Sequence, residues 1–479
     1  MARTGRRLVV GLCLVVLVGA AVRIALHDPT SEPVSGDQAS FVYQALSLQG
    51  GNLSYDEADQ ARWLELGWAD QPHGLFLQAR DDGWAFAKPL GYSVLLAPAM
   101  AVLGAHGVTI VGAGLLLAYA GCWYASARRR WDRATSLAVA TAASVASHAW
   151  LYGFPAHADL FVAVLVGVAA LAATRVAWPR ADAVTARAVD PWLVVAAVAC
   201  ALLVTEKPPA LVAVGPLVVL AALRRPWASR LVAGGIAALV LAVSVAPYLY
   251  YSDGASWSAY GGDRFYALPN TPWSGGTEDD LTPWRTRESL SPGYVLESIV
   301  DPSGDIPGAA VTYAVGRHTG VLTFQPVVVA LLVGAAVAGV VAWRRHRRGE
   351  GAPLLAVLAA GGLAAYAGLY VVAFTDNYFG GGQSIGSRYF LQVSVVAAVV
   401  AVASPLTARA AQWCAAFAAG WALVVLHPHL RAPEEAFFRI DRTSAVQRVL
   451  PFETTQVHSW RFSCEPGTCV PPDLEALIE

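Results

Sequence analysis

The sequence predicts an all-α protein that crosses a membrane many times, and three observations carry that prediction. Hydrophobic residues make up 56% of the chain against 14% charged, apolar runs recur along its 479 residues, and arginines gather between alternate runs. A soluble chain would carry about a quarter charged residues. A hydrocarbon layer ~30 Å thick needs about 20 apolar residues per helix. The formal net charge of −1 gives no reason to expect a nucleic-acid partner; membrane lipids are the expected surroundings.

Hydropathy places about 11 transmembrane helices, at 8–26, 107–127, 134–151, 158–178, 191–205, 209–223, 231–250, 320–343, 353–374, 390–404 and 411–427. Lys and Arg near span ends collect on the cytoplasmic side. Arg3, Arg6 and Arg7 precede the first span; Arg128–Arg130 and Arg133 follow the second, Arg180 and Arg187 the fourth, Arg224, Arg225 and Arg230 the sixth. Arg344, Arg345, Arg347 and Arg348 follow the eighth, and Arg409 the tenth. All fall on one side if the N-terminus is cytoplasmic and the protein sits in a plasma membrane. The first run shows no small-residue cleavage site after it, so it reads as a helix and not a signal peptide. Counting the apolar segment 89–104 as a span would invert every later loop. Its two internal prolines favour an interfacial or re-entrant helix on the outer side.

The expected outer face then carries a loop at 27–106 with interfacial helices, a second large loop at 251–319, the segment TDNYFGGGQSIGSR (375–388), and a tail. The domain expectation is a membrane core over 1–427 and an extracytoplasmic tail over 428–479. In the tail, Cys464 and Cys469 flank a Pro-Gly turn and are candidates for a disulfide. The other four cysteines lie in spans and read as small apolar residues. GGGQSIG has no following lysine and is discounted as a phosphate loop. HPH (427–429) reads as a cap on the last span. The acidic groups Asp56, Glu57, Asp59 and Glu278, Asp279, Asp280 read as solvated helix faces, although a divalent cation is compatible with either; no cofactor is implied with certainty.

Of 33 basic residues only Lys88 and Lys207 are lysines. A coding bias toward arginine explains the excess but not why both lysines precede proline, in FAKPLGY and TEKPPAL, at expected outer membrane edges. An ammonium is a compact point charge suited to an anion such as phosphate. In VSGDQASFVYQ (34–44), Asp37 stands behind a Ser-Gly turn at the start of an amphipathic segment. It reads either as a carboxylate placed for chemistry or as the N-cap of the helix that follows.

The order and sidedness of these pieces resembles the GT-C glycosyltransferases, in the branch of the protein O-mannosyltransferases and the lipid A aminoarabinose transferase. The resemblance rests on a first span ending in Arg23, Asp37 and Tyr43 at the opening of the first loop, and FAKPLGY with Lys88 and Tyr92. It continues with Asp159 in FPAHADLF, Lys207 in TEKPPAL, and Arg388 at the end of YFGGGQSIGSR. Gln38 stands where the family often has a second acid. The resemblance implies an inverting transferase that takes a sugar from a polyprenyl-phosphate donor to a hydroxyl of an envelope glycan, lipid or protein. It implies Asp37 and Asp159 as catalytic carboxylates, because the attacking hydroxyl must lose a proton. Lys88, Arg388, Lys207 and Arg23 would meet the donor phosphate, where negative charge grows on departure. Tyr43, Tyr92 and His157 would wall the site. Arg388 also has a simpler reading, as a side chain snorkelling at a span end. A transporter or flippase for a lipid-linked precursor is the alternative, but it would place ionisable groups nearer mid-bilayer.

Overall fold

The computed structural model describes residues 3–453 apart from 32–33, 35, 53, 69–74, 81–82, 180–188, 252–258, 260–263, 268–281, 284–299, 301–303, 345–351, 376, 382–383 and 438–441. The chain is a multi-pass, almost wholly helical membrane protein. Each of the eleven apolar runs is occupied by helix. Seven helices are long and apolar enough to cross a membrane: Thr4–Ala25, His106–Ala127, Asp159–Ala177, Trp227–Tyr250, Pro326–Arg344, Pro353–Ala373 and Ala408–Arg431. The other four runs are shorter or broken. The run 134–151 ends early as Arg133–Val145, and 390–404 is split into Arg388–Val393 and Val396–Ala403. The runs 191–205 and 209–223 form Pro191–Glu206 and Ala210–Leu223, which meet at the turn carrying Lys207, Pro208 and Pro209. Proline there supplies no N–H to continue either helix.

In chain order the helices that matter for the site are α1 (Arg3–Ala25), α2 (Gly36–Gln49), α3 (Glu57–Glu65), α4 (Gly91–Leu103), α5 (His106–Ala127), α6 (Arg133–Val145), α7 (Asp159–Ala177), α8 (Pro191–Glu206), α9 (Ala210–Leu223) and α10 (Trp227–Tyr251). The helix α7 is the most deeply buried of the long helices and packs against α5, α8 and α9. Its sequence is alanine-, valine- and glycine-rich, and small residues let helices approach closely where lipid gives no hydrophobic drive. The α10 helix is almost entirely exposed apart from its contact with α8. Its outward Leu231, Leu239 and Val243 suit a hydrocarbon surround.

The loop-bearing end departs from expectation in two ways. The amphipathic segment beyond Asp37 presents no solvated face. Gln38–Ser47 are all buried, because α4, α3 and a strand each cover part of α2. Secondly, a four-stranded sheet appears where only helices were expected: β1 (Leu75–Arg80), β2 (Gly83–Phe86), β3 (Arg264–Ala267) and β4 (Thr282–Pro283), in the order β2-β1-β3-β4. All pairs are antiparallel. Leu77 stands opposite Phe86 on one side and Phe265 on the other. The described strands of the two large loops therefore share one sheet. The Phe76 N–H donates to Ser40 Oγ at 2.9 Å, which ties the sheet to α2. Within the first acidic cluster Asp56 is exposed as expected, but Asp59 is not on a solvated face. Asp56 caps α3 through the Ala58 N–H at 3.0 Å, and Asp59 is fully buried against Ser47 and Arg62. The residues Glu278–Asp280 and the candidate disulfide Cys464–Cys469 lie outside the described residues. The beginning of the tail docks on the bundle: the Arg317 N–H donates to the Pro451 carbonyl at 2.9 Å, and buried Glu453 accepts from the His318 and Thr319 N–H groups.

One labelling experiment checks this arrangement. With the six native cysteines replaced by serine, a membrane-impermeant maleimide applied to intact cells should label Ser31→Cys and Asn377→Cys and should spare Ala228→Cys. Labelling of Ala228→Cys together with the other two would contradict a bundle with its loops gathered at one end.

Candidate active site

The site forms where the first turn of α2, the Lys-Pro turn after β2, the start of α7 and the Arg388 segment converge. Gly36, with φ of 56°, turns the chain in the left-handed region immediately before Asp37. This places Asp37 inside the first helical turn, where a carboxylate also meets the positive end of the helix. Its described contacts are not capping contacts. One oxygen is paired with the Lys88 ammonium, and the other accepts from Arg388 Nη1 at 2.9 Å. Burial alone would raise the Asp37 carboxyl. The Lys88 and Arg388 charges outweigh it and hold the group well below the usual carboxylate range.

Lys88 is buried and held from several elements. Its ammonium lies 3.8 Å from the centre of the Phe76 ring, a cation–π contact supplied by β1. Its carbonyl accepts from Gln44 Nε2 at 3.2 Å, and Gln44 Oε1 accepts from Ser93 Oγ at 2.7 Å. The following residues are fixed in turn. The Leu90 N–H donates to the Tyr248 hydroxyl at 2.6 Å, and the Gly91 N–H to Glu206 Oε1 at 2.7 Å. The Lys-Pro-Leu-Gly turn is thus pinned by α2, α8 and α10 together.

Arg388 begins a short helix capped by Ser387, whose side chain accepts from the Phe390 N–H. The glycine run before it makes room for the guanidinium. Gly380, with φ of 114°, lies so close that a side chain there would fall on Arg388. Besides Asp37, Arg388 Nη1 meets the His157 ring, 3.2 Å from Nε2 and 3.5 Å from Nδ1. His157 Nδ1 is 2.7 Å from Asp159 Oδ2, and Gln392 Nε2 donates to Asp159 Oδ1 at 2.5 Å. Lys207 joins from the α8–α9 turn, its ammonium 3.9 Å from the centre of the Tyr389 ring; the Arg388 guanidinium lies 5.4 Å from that ring.

Six of the residues singled out in the sequence therefore meet: Asp37, Lys88, His157, Asp159, Lys207 and Arg388. Others are placed elsewhere. Arg23 pairs with Glu434 at 3.3 Å, donates to the Arg431 carbonyl and stacks near Trp150. Tyr43 is buried in an aromatic group with Trp63 and Tyr55 on the far face of α2. Tyr92 packs edge-on against Phe41 at 5.2 Å, between α2 and α4, but stays within electrostatic reach of Asp159 at the site. His427 Nδ1 lies 3.3 Å from the Val424 carbonyl at the end of the last long helix. Among the described residues no group of three or more His, Cys, Asp or Glu side chains is arranged to hold a metal ion. The residues not foreseen are Phe76, Gln44, Glu206, Tyr248, Tyr389 and Gln392. Gln392 carried a readable signal, since it lies four residues after Arg388, one helical turn along the same face.

The geometry sets a stability expectation. Asp37→Ala leaves two cations facing each other without their counter-charge. Breaking a buried pair costs roughly 3–5 kcal/mol, reduced here because the Asp37 side chain keeps 18% of its exposure. A folded-state carboxyl held low contributes stability above its unfolded value of about 3.9 and loses it as pH falls through the folded value. The difference in thermal midpoint between the parent and Asp37→Ala should be constant from neutral pH to about pH 4 and shrink below it. Equal midpoints at pH 7 would show that the pairing contributes nothing.

No family model matches the chain, and no curated protein matches it. Among solved structures it is similar to the crystal structure of ArnT from Cupriavidus metallidurans bound to undecaprenyl phosphate, with 16% identity and a TM-score of 0.43 over 84% of this chain and 60% of that one. The apo-state structure of the same protein gives 16% identity and a TM-score of 0.42 over 84% and 59%. The chain spans about 60% of the length of the solved structures it resembles.

Proposed function

We propose that this protein is an inverting glycosyltransferase that moves a sugar from a polyprenyl-phosphate donor to an acceptor hydroxyl at the loop-bearing end of the bundle. The observation that carries this reading is the Asp37 carboxylate held between Lys88 and Arg388, at an edge where helices end and loops begin. The arginine distribution supports an extracytoplasmic position for that end. The order of the FAKPLGY, FPAHADLF and TEKPPAL motifs supports the same reading.

The chemistry follows from the charges. The acceptor oxygen forms a bond to the anomeric carbon on the face opposite the phosphate. The bond from that carbon to the phosphate oxygen breaks, and its electron pair leaves with the polyprenyl phosphate. Lys88 and Arg388 meet the charge that grows there, with Lys207 close by. Asp37 accepts the hydroxyl proton. In the resting site its two cations make it a weak base. A donor phosphate competes for the same cations, so donor binding raises the basicity of Asp37 when a proton has to be taken. The polyprenyl tail stays in the bilayer, which accounts for a membrane-embedded catalyst.

Two substitutions test this. Removing a charge-assisted contact costs about 1.5–3 kcal/mol, so Lys88→Ala should weaken binding of undecaprenyl phosphate by roughly 10- to 150-fold. Lys88→Arg should recover part of the loss, because charge is kept and geometry is not. Undiminished binding by the alanine variant would remove Lys88 from a donor site. Asp37→Asn should bind undecaprenyl phosphate at least as tightly as the parent, because the competing carboxylate is gone. Its transfer rate, measured with donor and an envelope extract, should fall by about 10²–10⁴-fold. Transfer near the parent rate would exclude Asp37 as the base.

A further inference from the structure

The first N–H groups of a helix find no acceptor in its own ladder. The helix α4 begins just after the turn that carries Lys88, and its N-cap is Leu90, whose side chain makes no capping bond. A carboxylate from another helix serves instead. Glu206, the last residue of α8, accepts from the Gly91 N–H through Oε1 at 2.7 Å, and the Tyr92 N–H donates to it as well. A negative group there also meets the positive end of the backbone dipoles. The approach depends on glycine: a Cβ on residue 91 would fall on the Glu206 carboxylate. Glu206 is buried, so its bonds are not shared with bulk water.

The next residue is Lys207, the C-cap of α8, whose N–H donates to the Leu203 carbonyl at 2.9 Å. Prolines follow both lysines, Pro89 after Lys88 and Pro208 with Pro209 after Lys207. Proline brings no N–H, so neither turn can be held by a continuous backbone ladder. One side chain thus holds the first lysine turn while its own backbone belongs to the second. We infer that Glu206 is a positioning residue that fixes the two lysine turns relative to each other, so that both ammonium groups are set for one multi-oxygen anion. The anion is the donor phosphate if the reading above holds; the link between the turns does not depend on it.

The sequence makes the test direct, because Lys88 and Lys207 are its only lysines. In the full-length protein in nanodiscs, limited acetylation with acetic anhydride, followed by peptide mass spectrometry, reports each ammonium separately and needs no donor. Glu206→Ala should speed acetylation of both lysines about tenfold, the effect of one lost charge-assisted bond. Gly91→Ala, which displaces the carboxylate but keeps it, should do the same. Glu206→Gln keeps an acceptor for Gly91 but turns an amide N–H toward Tyr92, and should fall between. Gln49→Leu removes a bond of 2.8 Å from α2 to the Ala97 carbonyl of α4, away from the turn, and should leave both rates at the parent value. Parent-like acetylation of Lys207 in both Glu206→Ala and Gly91→Ala would overturn the link, as would an equal response to Gln49→Leu. Glu206→Ala should also weaken undecaprenyl phosphate binding about tenfold, and this loss should vanish when Lys88 and Lys207 are both alanine, because the effect passes through them. A full additive loss in that background would equally overturn the inference. Failure of the donor reading has a different signature, in which Lys88→Ala leaves undecaprenyl phosphate binding intact while acetylation still follows Glu206.

Discussion

The pairing of one carboxylate with two cations at the edge of the bundle is the constraint around which the loop-bearing end is built. Asp37, Lys88 and Arg388 are far apart in the chain and sit on three separate segments. None is fully exposed, so each depends on the others to offset desolvation. Such a pairing is worth little as a source of stability, because well-packed apolar residues would serve as well. Its value is that it stores charge in a place water reaches poorly. Electrostatic interactions there are stronger than in bulk solvent. On the proposed reading, a donor phosphate entering the site exchanges one set of partners for another and does not have to order them itself.

The supporting elements are unusually specific about where the lysine goes. A Lys-Pro turn has no helix ladder to hold it, and the groups that fix it arrive from α2, α8, α10 and the sheet. The arginine is supported differently, by the His157 ring against it, which Asp159 holds in turn. One cation is thus set mainly through its backbone and the other by its side-chain environment.

Much of this end was legible in advance, and the reasons for the gaps are physical. The spans and their order follow from apolar length, which the bilayer imposes on every segment alike. The two lysines stood out because a chain otherwise rich in arginine kept them. Asp37 was visible, but its role was ambiguous between cap and partner. Only the distance to Lys88 and Arg388 separates the two. The burial of α2 was not legible: Gln38, Gln44 and Ser47 give it a polar face by composition, yet all three are buried, with Gln44 bonded to the Lys88 carbonyl and Ser47 to Asp59. The sheet was missed for a related reason. LFLQARDDGWAF contains alternating apolar residues around an acidic pair and a glycine, a recognisable hairpin pattern. The other two strands of the sheet come from a loop almost two hundred positions later, and pairing across that distance leaves no mark in a local window. Arg23 shows the converse. Its place at a span end suggested the phosphate group, yet Glu434, from near the C-terminal end, provides a nearer charge.

The sheet also has a consequence for how the protein is made. Strand β1 pairs with β2 on one edge and with β3 on the other. During synthesis β1 and β2 emerge early, whereas β3 follows only after α5–α10 have been produced. Until then β1 presents an open edge, the kind of surface that invites wrong pairing. Contacts so distant in sequence form late and slowly. The phenylalanine that lies under Lys88 belongs to this same strand. Maturation of the charged cluster is therefore tied to one of the last steps of assembly at this end, so a chain with its first half inserted would hold Asp37 and Lys88 without yet holding their arrangement.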